Sequence, residues 1–564
     1  MGKSVLQGEA LVSGQGNGEM LFSDVPLSFW GGVDPASGVV IDRHHPLCGQ
    51  SLAGKVLALP SGRGSCTGSA VMLQLLAGGN GPAAVIICER EEIITLGVVI
   101  ASTFFGKSIP VLRVSPVDFA VLAGWERAFA SGNAISQSEP LSSDVARAGC
   151  AELELSPEDR RMLSGAGGEA TRLAMEVIVT MAQVYGARCL VDITQAHIDG
   201  CIYTGEAGLA FAEQLVKLGA RVQVPTTLNA ISVDRRLWRS LGVAPQFGEP
   251  SERLADAYLA MGTRPSYTCA PYLLSGKPAA GEQVAWSESN AVIYANSVLG
   301  ARTQKYPDYL DICMAITGRA PLAGPHLDEG RKPEIKIVVE ELSAPGDALY
   351  PLLGYHIGQI CGSRIPLITG LERLPFSTDA LKAFSAALGT TSAAPMFYIN
   401  GVTPTAPEIN NGLPEHAVTR EALRQTWVSL NTAEQPRIDL VALGNPHFSH
   451  SEFQDLAVRC KGKNRDPAVC VIVTCGRDIH AAITADGTLV QLEKFGVKIL
   501  NDVCWCMIEK PVIPEDCKTI ATTSGKYVHY GPGLAGVSVR LGGLEACITA
   551  AVTGQWPAQP APFT

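Results

Sequence analysis

The stretch Lys55-Val-Leu-Ala-Leu59-Pro60-Ser61-Gly62-Arg63-Gly64-Ser65-Cys66-Thr67-Gly68 runs from an apolar strand through a glycine-rich turn into a helical pattern over Ser69 to Leu76. The same order recurs nearby: Ala83 to Cys88 and Ile109 to Val114 are short apolar runs separated by helical segments, which predicts a compact, β-rich α/β module. Glycines in the turn let the backbone approach a ligand closely, and amides at a helix start favour an anion. The turn lacks the lysine before Ser/Thr that completes a nucleotide phosphate loop. Ser65 has two readings. A hydroxyl held at a helix N-terminus beside Arg63 sits where its alkoxide, the form that abstracts a carbon-bound proton, is favoured; alternatively it caps the helix.

Residues 131 to 152 are small, polar and aperiodic, the composition of a linker. The expected division is an N-terminal module over 1–135, a linker over 136–152 and a catalytic-looking module over 153–564 with more than one lobe. Leu155-Ser156-Pro157-Glu158-Asp159 marks a helix start, with Ser156 as cap and proline in the first turn. Strand-like runs then precede helices at Cys189 to Ile193, Arg221 to Val224, Ile335 to Val339, Leu440 to Leu443, Val469 to Thr474 and Val497 to Leu500, which predicts parallel sheets flanked by helices. Polar residues follow these strands (His197, Asp199 and Gly200; Thr226 and Asn229; Asn445 and His447), and in open α/β sheets ligands bind beyond the carboxyl ends of the strands.

The 564 residues carry a net charge of −10 without long charge runs, against the concentrated basic face that nucleic acid requires. The apolar stretch Gly97 to Phe105 is shorter than the roughly 20 residues of a membrane span, and the first residues lack a signal-peptide pattern. The expectation is a cytoplasmic protein, monomeric or homo-oligomeric, whose 16 cysteines are mostly reduced, small buried hydrophobes. Two cysteine segments stand apart: Asn501-Asp-Val-Cys504-Trp-Cys506, followed by Thr523-Ser524-Gly525-Lys526, and Tyr267-Thr268-Cys269-Ala270-Pro271-Tyr272 far upstream. Thiolates hold soft metals and a lysine at a strand-to-helix turn holds an anion, so the pairing points to metal-assisted chemistry on an anionic substrate.

The Ser-Gly-Arg-Gly-Ser turn, with Phe105-Gly-Lys-Ser-Ile-Pro110 after it, resembles the swivelling domain of the aconitase superfamily. His197-Ile-Asp-Gly200, Pro225-Thr-Thr-Leu-Asn229, Ala285-Trp-Ser-Glu288-Ser289-Asn-Ala-Val, Ala295-Asn-Ser-Val-Leu-Gly-Ala-Arg302-Thr, Ile316-Thr-Gly-Arg-Ala-Pro and Thr522-Thr-Ser-Gly-Lys526 resemble the large module of the aconitase X family. The resemblance spans nearly the whole chain. The fusion of small and large modules is similar to the bacterial cis-3-hydroxy-L-proline dehydratases, whereas archaeal relatives split the modules and act on phosphomevalonate. It implies an aconitase-like α/β fold: an N-terminal swivelling β/α domain, then a multi-lobed α/β/α catalytic module with parallel sheets.

The resemblance implies Ser65 as the proton acceptor. It places Gly200, Cys201, Ile202, Asn229, Glu288, Ser289 and Lys526 about the substrate, and Cys269 and Cys504 among three cluster ligands; Arg63, beside Ser65 in the turn, is a further substrate-binding candidate. The third is missing, because archaeal relatives carry Gly-Cys-Pro-His-Cys where this chain reads Gly444-Asn445-Pro446-His447-Phe448. Cys475 and Cys361 are the candidates to complete the site, with Cys506 a competitor for its place beside Cys504. The cofactor is then an iron–sulfur cluster of two or four irons or a mononuclear iron; zinc fits less well, since paired cysteines occur only at 504 and 506. The implied reaction removes water from cis-3-hydroxy-L-proline, a small amino acid, to give Δ1-pyrroline-2-carboxylate, with Ser65 as base and Lys526 on the carboxylate. The alternatives are a phosphomevalonate dehydratase, a non-catalytic iron-sensing binding protein and a zinc hydrolase.

Overall fold

The computed structural model describes residues 4–43, 45–138, 153–342, 346–404, 406, 412–431, 433–558 and 561–563. Nearly all of the expected linker lies outside them. The chain divides into two compact units, one formed by Met1–Thr226, Ala257–Thr263 and Tyr306–Gly324, the other by Thr227–Asp256, Arg264–Lys305 and Pro325–Thr564.

The first unit is built on an eight-stranded sheet in the order Val5–Gln7, Ala134–Ser136, Arg127–Ser131, Gln15–Phe22, Val56–Ala58, Ala84–Ile87, Val111–Arg113, Glu9–Val12. Its middle, from Gln15–Phe22 to Val111–Arg113, is parallel. Its flanks are antiparallel. The central apolar runs are fully buried, as strands covered on both faces must be. Helices Gly68–Gly78 and Ile93–Phe105 pack closely because Gly97 has no side chain: a Cβ there would lie 2.6 Å from the Ser69 carbonyl oxygen. Helix Ile93–Phe105, which contains the apolar stretch Gly97 to Phe105 noted above, is therefore a core helix. Among the described residues no helix is long and apolar enough to cross a membrane.

Farther along, Ser156 accepts from the Asp159 amide and the Asp159 carboxylate accepts from the Ser156 amide, closing the capping box of helix Pro157–Leu163. Two expected strands depart from the pattern. Leu190–Asp192 pairs antiparallel with Arg319–Pro321 rather than joining a parallel sheet. Arg221 to Val224 is irregular: Val222 and Gln223 donate singly to Met261 and Ala315, and the strand begins only after Pro225, at Thr226–Leu228. Proline, which lacks the N–H, can precede such a ladder but not continue it.

The second unit holds two wholly parallel sheets. One has the order Tyr398–Ile399, Pro366–Thr369, Ile335–Val339, Glu415–Val418. The other has the order Val497–Asn501, Cys470–Cys475, Leu440–Leu443, Thr519–Thr522, Ser538–Leu541. One continuous core, including Ile337, Leu352, Phe384, Leu440, Ile472, Trp505 and Val539, serves both.

In the first unit the turn at Gly62 rests on a buried carboxyl: a Cβ at Gly62 would lie 2.8 Å from Glu91 Oε1. Glu91 accepts from the Ile94 and Thr95 amides and from the Thr95 hydroxyl, at 2.7, 2.9 and 2.9 Å, yet burial pushes its carboxyl up to about 7. A raised folded-state value stabilises the fold fully below the unfolded carboxyl value, and this contribution is lost as pH rises through about 7. Glu91→Gln has no proton to lose. Its stability relative to wild type, measured by denaturant unfolding between pH 4 and 8, should therefore rise with pH by about 3 kcal/mol in total. A pH-independent difference would contradict this.

Candidate active site

In the second unit, chemistry gathers beyond the carboxyl ends of the five-stranded sheet. Leu440–Leu443 leads into Gly444-Asn445-Pro446-His447, Val497–Asn501 into Asp502 to Cys506, and Thr519–Thr522 into Ser524 to Lys526. Ser524 caps helix Gly525–Ala535 by accepting from the Tyr527 amide at 3.0 Å, and its hydroxyl donates to the Asn445 carbonyl. The cap fixes Lys526 in the first helical turn. Lys526 Nζ donates to Glu288 Oε1 at 2.9 Å, and both side chains are largely buried. Burial alone would raise the Glu288 carboxyl, but the ammonium beside it outweighs that and holds it at about 2. Burial opposes the Lys526 charge in turn, and Glu288 with the nearby thiols Cys506, Cys504 and Cys269 raises it well above the usual lysine range.

Glu288 is itself tightly held. Asn229 Nδ2 donates to Oε2 at 3.1 Å, and Oε1 accepts from Asn290 Nδ2 at 2.7 Å and the Ser289 hydroxyl at 3.4 Å. Asn290 also donates to the Cys269 carbonyl at 3.0 Å and accepts from the Tyr272 hydroxyl at 2.8 Å, and Tyr272 stacks on Tyr294. Sequence reading passed over Asn290, whose one signal was a second amide two residues beyond Glu288 at a helix start.

Three thiols surround the pair. Cys269 is buried, which pushes its thiol up, and its sulfur accepts from the His447 amide at 3.3 Å. His447 Nε2 lies 3.0 Å from the Val503 carbonyl and must donate to it, leaving Nδ1 to accept from the Thr268 hydroxyl at 3.2 Å. Burial holds this imidazole down at about 4, so it is a neutral brace. Cys504 and Cys506 are hydrogen-bonded to each other: the bond and burial raise Cys504, while the same bond, with help from Lys526, lowers Cys506. The loop carrying them is anchored by Asp502, which adopts φ 69° and takes a two-pronged bond from Arg477 at 2.7 and 2.8 Å. Among the described residues no three His, Cys, Asp or Glu side chains converge on a point that could hold one metal ion. What is assembled is a wider donor set.

Of the other expected residues, Cys475 and Cys361 lie in the second unit and the rest in the first. Cys475 is buried and its sulfur accepts from Asn501 Nδ2 at 3.3 Å, while Cys361 ends helix Leu349–Cys361 beside Arg364. Neither is drawn into the Cys269, Cys504 and Cys506 group; the place beside Cys504 belongs to Cys506. Gly200, Cys201 and Ile202 lie in the first unit. The Asp199 and Gly200 amides donate to Asp311 at 2.7 and 3.4 Å, the Gly200 carbonyl accepts from Tyr258 at 2.8 Å, and a Cβ at Gly200 would meet Tyr309 at 3.2 Å. Cys201 is a buried thiol that burial, with Asp199 beside it, holds protonated; Ile202 is half-buried. Ser65, also in the first unit, is half-buried and bonded to Thr67, accepting from its amide at 3.3 Å and donating to its hydroxyl at 3.1 Å. Thr67, directly before helix Gly68–Gly78, makes no side-chain cap bond, and Ser65 accepts from the amide two residues on, in the manner of a cap. Arg63 is half-exposed and pairs with Asp42 at 3.1 Å.

A parallel sheet that brings a buried ammonium, a carboxylate and three thiols to one end has the arrangement of an α/β enzyme that takes a small charged ligand beyond its strands. The chain belongs to the aconitase X family: the aconitase X swivel domain matches residues 5–135 and the first, second and third domains match 152–329, 333–428 and 438–553. It is 51% identical over 559 residues to the cis-3-hydroxy-L-proline dehydratase of Pseudomonas aeruginosa, covering 97% of this chain and 96% of that protein. It is 48% identical over 571 residues to the protein of the same name from Hypocrea jecorina, covering 97% and 95%. The crystal structure of Thermococcus kodakaraensis aconitase X (holo-form) superposes with a TM-score of 0.65 at 33% identity, over 71% of this chain and all of that one.

Removing one member of the Lys526–Glu288 pair leaves the other buried and uncompensated, at a cost of about 3–5 kcal/mol. Lys526→Met should therefore destabilise the protein by that order, and Lys526→Met/Glu288→Gln should recover most of it. Denaturant unfolding at pH 7 measures both. Because the Glu288 value is depressed, its contribution is present above the ordinary carboxyl value and lost as pH falls toward about 2.

Proposed function

We propose that this protein dehydrates cis-3-hydroxy-L-proline to Δ1-pyrroline-2-carboxylate. The observation that carries the reading is the buried Lys526–Glu288 pair. An amino acid is a zwitterion, and a fixed ammonium–carboxylate pair offers one opposite charge to each of its ends. Phosphomevalonate would bring a phosphate and a carboxylate, which call for several cations, whereas here the lysine is already balanced by a carboxylate. The full-length similarity to the two dehydratases supports the same choice.

In this reading Lys526 holds the substrate carboxylate and Glu288, kept ionised by Lys526, receives the ring ammonium. Asn229 and Asn290 orient Glu288, so the binding groups are set before substrate arrives. Ser65 takes the proton from the carbon bearing the carboxylate, and the charge that grows there spreads into the carboxylate and strengthens its attraction to Lys526, a gain made mostly in the transition state. The 3-hydroxyl departs as hydroxide and leaves as water with the proton taken by Ser65, giving an enamine that tautomerises to the cyclic imine without redox change.

The residues fit an iron-based group: Cys269, Cys504 and Cys506 supply soft sulfur donors, and the Asn445 side-chain oxygen is buried without a hydrogen-bond partner beside Cys506. Held by these residues, an iron–sulfur cluster would supply Lewis acidity toward the departing hydroxyl. Cys506 takes the third thiol position for which Cys475 and Cys361 were the sequence candidates.

Cis-3-hydroxy-L-proline should give the imine, trapped with o-aminobenzaldehyde, and phosphomevalonate should not turn over; comparable phosphomevalonate turnover would overturn the reading. Ser65→Ala should lower turnover about 10²- to 10⁴-fold while iron content and substrate binding persist. Exchange of the substrate α-hydrogen with deuterated solvent at the wild-type rate in that variant would remove Ser65 as the base. Cys269→Ser and Cys504→Ser should lose iron and visible absorption together.

A further inference from the structure

Asn445 stands at the end of the central strand Leu440–Leu443, and its backbone is pinned on every side. The preceding Gly444 adopts φ +93°, and a Cβ there would lie 2.2 Å from the Thr474 carbonyl oxygen, so the turn admits only glycine. The Gly444 carbonyl accepts from the Thr474 hydroxyl at 2.6 Å, the Leu443 carbonyl accepts from the Trp505 indole at 2.6 Å, and the Asn445 carbonyl accepts from Ser524. These bonds deliver the Asn445 side chain to the thiols. It is 6% exposed, and its Nδ2 lies 3.7 Å from Cys506 Sγ.

The Asn445 Oδ1 atom is buried and has no hydrogen-bond partner. A buried amide oxygen left unpaired is costly, and native structures leave few such groups without a reason. The neighbouring amides show that the local fold readily satisfies side chains of this type: both ends of Asn290 are bonded, and Asn229 donates from Nδ2 while its Oδ1 accepts from the Ala230 amide at 2.7 Å. Among the described residues, the unpaired atom thus belongs to an amide whose other end is hydrogen-bonded to a thiol of the donor set.

We propose that Asn445 Oδ1 is an oxygen ligand that completes the donor set of Cys269, Cys504 and Cys506, giving this chain a mixed sulfur–oxygen iron site. The inference rests on the reading that those thiols hold iron. A neutral amide oxygen is a harder and weaker donor than a thiolate, so the iron it faces is held less tightly and keeps more Lewis acidity. The side-chain N–H on Cys506 would steady that sulfur at the same time.

The test uses the full chain, purified without oxygen and reconstituted with iron(II) and sulfide, comparing wild type with Asn445→Leu, Asn445→Asp and Asn445→Cys. The readouts are iron and acid-labile sulfide per chain, iron retention against a chelator, and visible and electron paramagnetic resonance spectra. Asn445→Leu should lose iron at least tenfold faster to the chelator, Asn445→Asp should retain it at least as well as wild type, and Asn445→Cys should retain it with a changed charge-transfer spectrum. Aspartate keeps an oxygen but removes the N–H donated to Cys506, so an Asp variant that fails as the Leu variant does would assign the residue to holding Cys506 and overturn the ligand reading. A Leu variant with wild-type iron retention and spectrum would overturn it directly. Should the Leu variant not fold, the Asp and Cys variants carry the test: both must retain iron, and only the Cys variant may change the sulfur-to-iron bands. A wild-type protein that takes up no iron would overturn the iron reading and this inference together; an iron-binding wild type with an indifferent Asn445 overturns this inference alone.

Discussion

A lysine ammonium withdrawn from water is among the most expensive groups a fold can bury, and here it is tolerated because Glu288 lies 2.9 Å away. The pair in turn dictates what surrounds it. Glu288 has more acceptor capacity than one lysine can fill, so Asn229, Asn290 and Ser289 converge on it, and Asn290 extends the network to the Cys269 carbonyl and the Tyr272 ring. Three segments distant in sequence are thereby tied to one charge pair, and the Cys269 backbone is set by the same contacts that orient the carboxylate.

The thiols are governed by a complementary constraint. Burial disfavours a thiolate, and it is countered by donors aimed at sulfur: the His447 amide at Cys269, the Cys504 thiol and the Asn445 amide at Cys506, with Lys526 adding positive potential over all three. His447 donates through its main chain while its ring spans Thr268 and Val503. A histidine beside cysteines invites assignment as a ligand, but its neutral, doubly bonded ring serves to hold two loops at a fixed separation.

Much of the architecture was legible in sequence because hydrophobic period and turn chemistry agree there. The apolar runs at 55–59, 83–88, 335–339, 440–443 and 469–474 became strands, and Ser156-Pro157 with Asp159 formed a capping box. The run at 221–224 misled because Pro225 delays the ladder by a few residues, and Leu190–Asp192 because periodicity carries no information on strand direction. Glu288, Lys526, Cys269 and Cys504, singled out from their motifs, are brought together by the fold. Cys475 was expected at the cofactor because it ends a central strand, but its sulfur is occupied by Asn501, and which way a strand-end side chain is taken up depends on partners remote in sequence. Asn290 and the unpaired oxygen of Asn445 became visible only when hydrogen bonds could be counted atom by atom.

The order of strands in the five-stranded sheet bears on how the protein is made. Leu440–Leu443 is flanked by Cys470–Cys475 on one side and Thr519–Thr522 on the other, and the latter strand is translated about eighty residues later. Until Thr519–Thr522 and its helix emerge from the ribosome, Glu288 lacks its counter-charge and the segment at 444–447 lacks the Ser524 bond. Cys269, Cys504 and Cys506 are all synthesised before that moment, so the charge pair and the thiols around it come together only when the last strands of this sheet are in place.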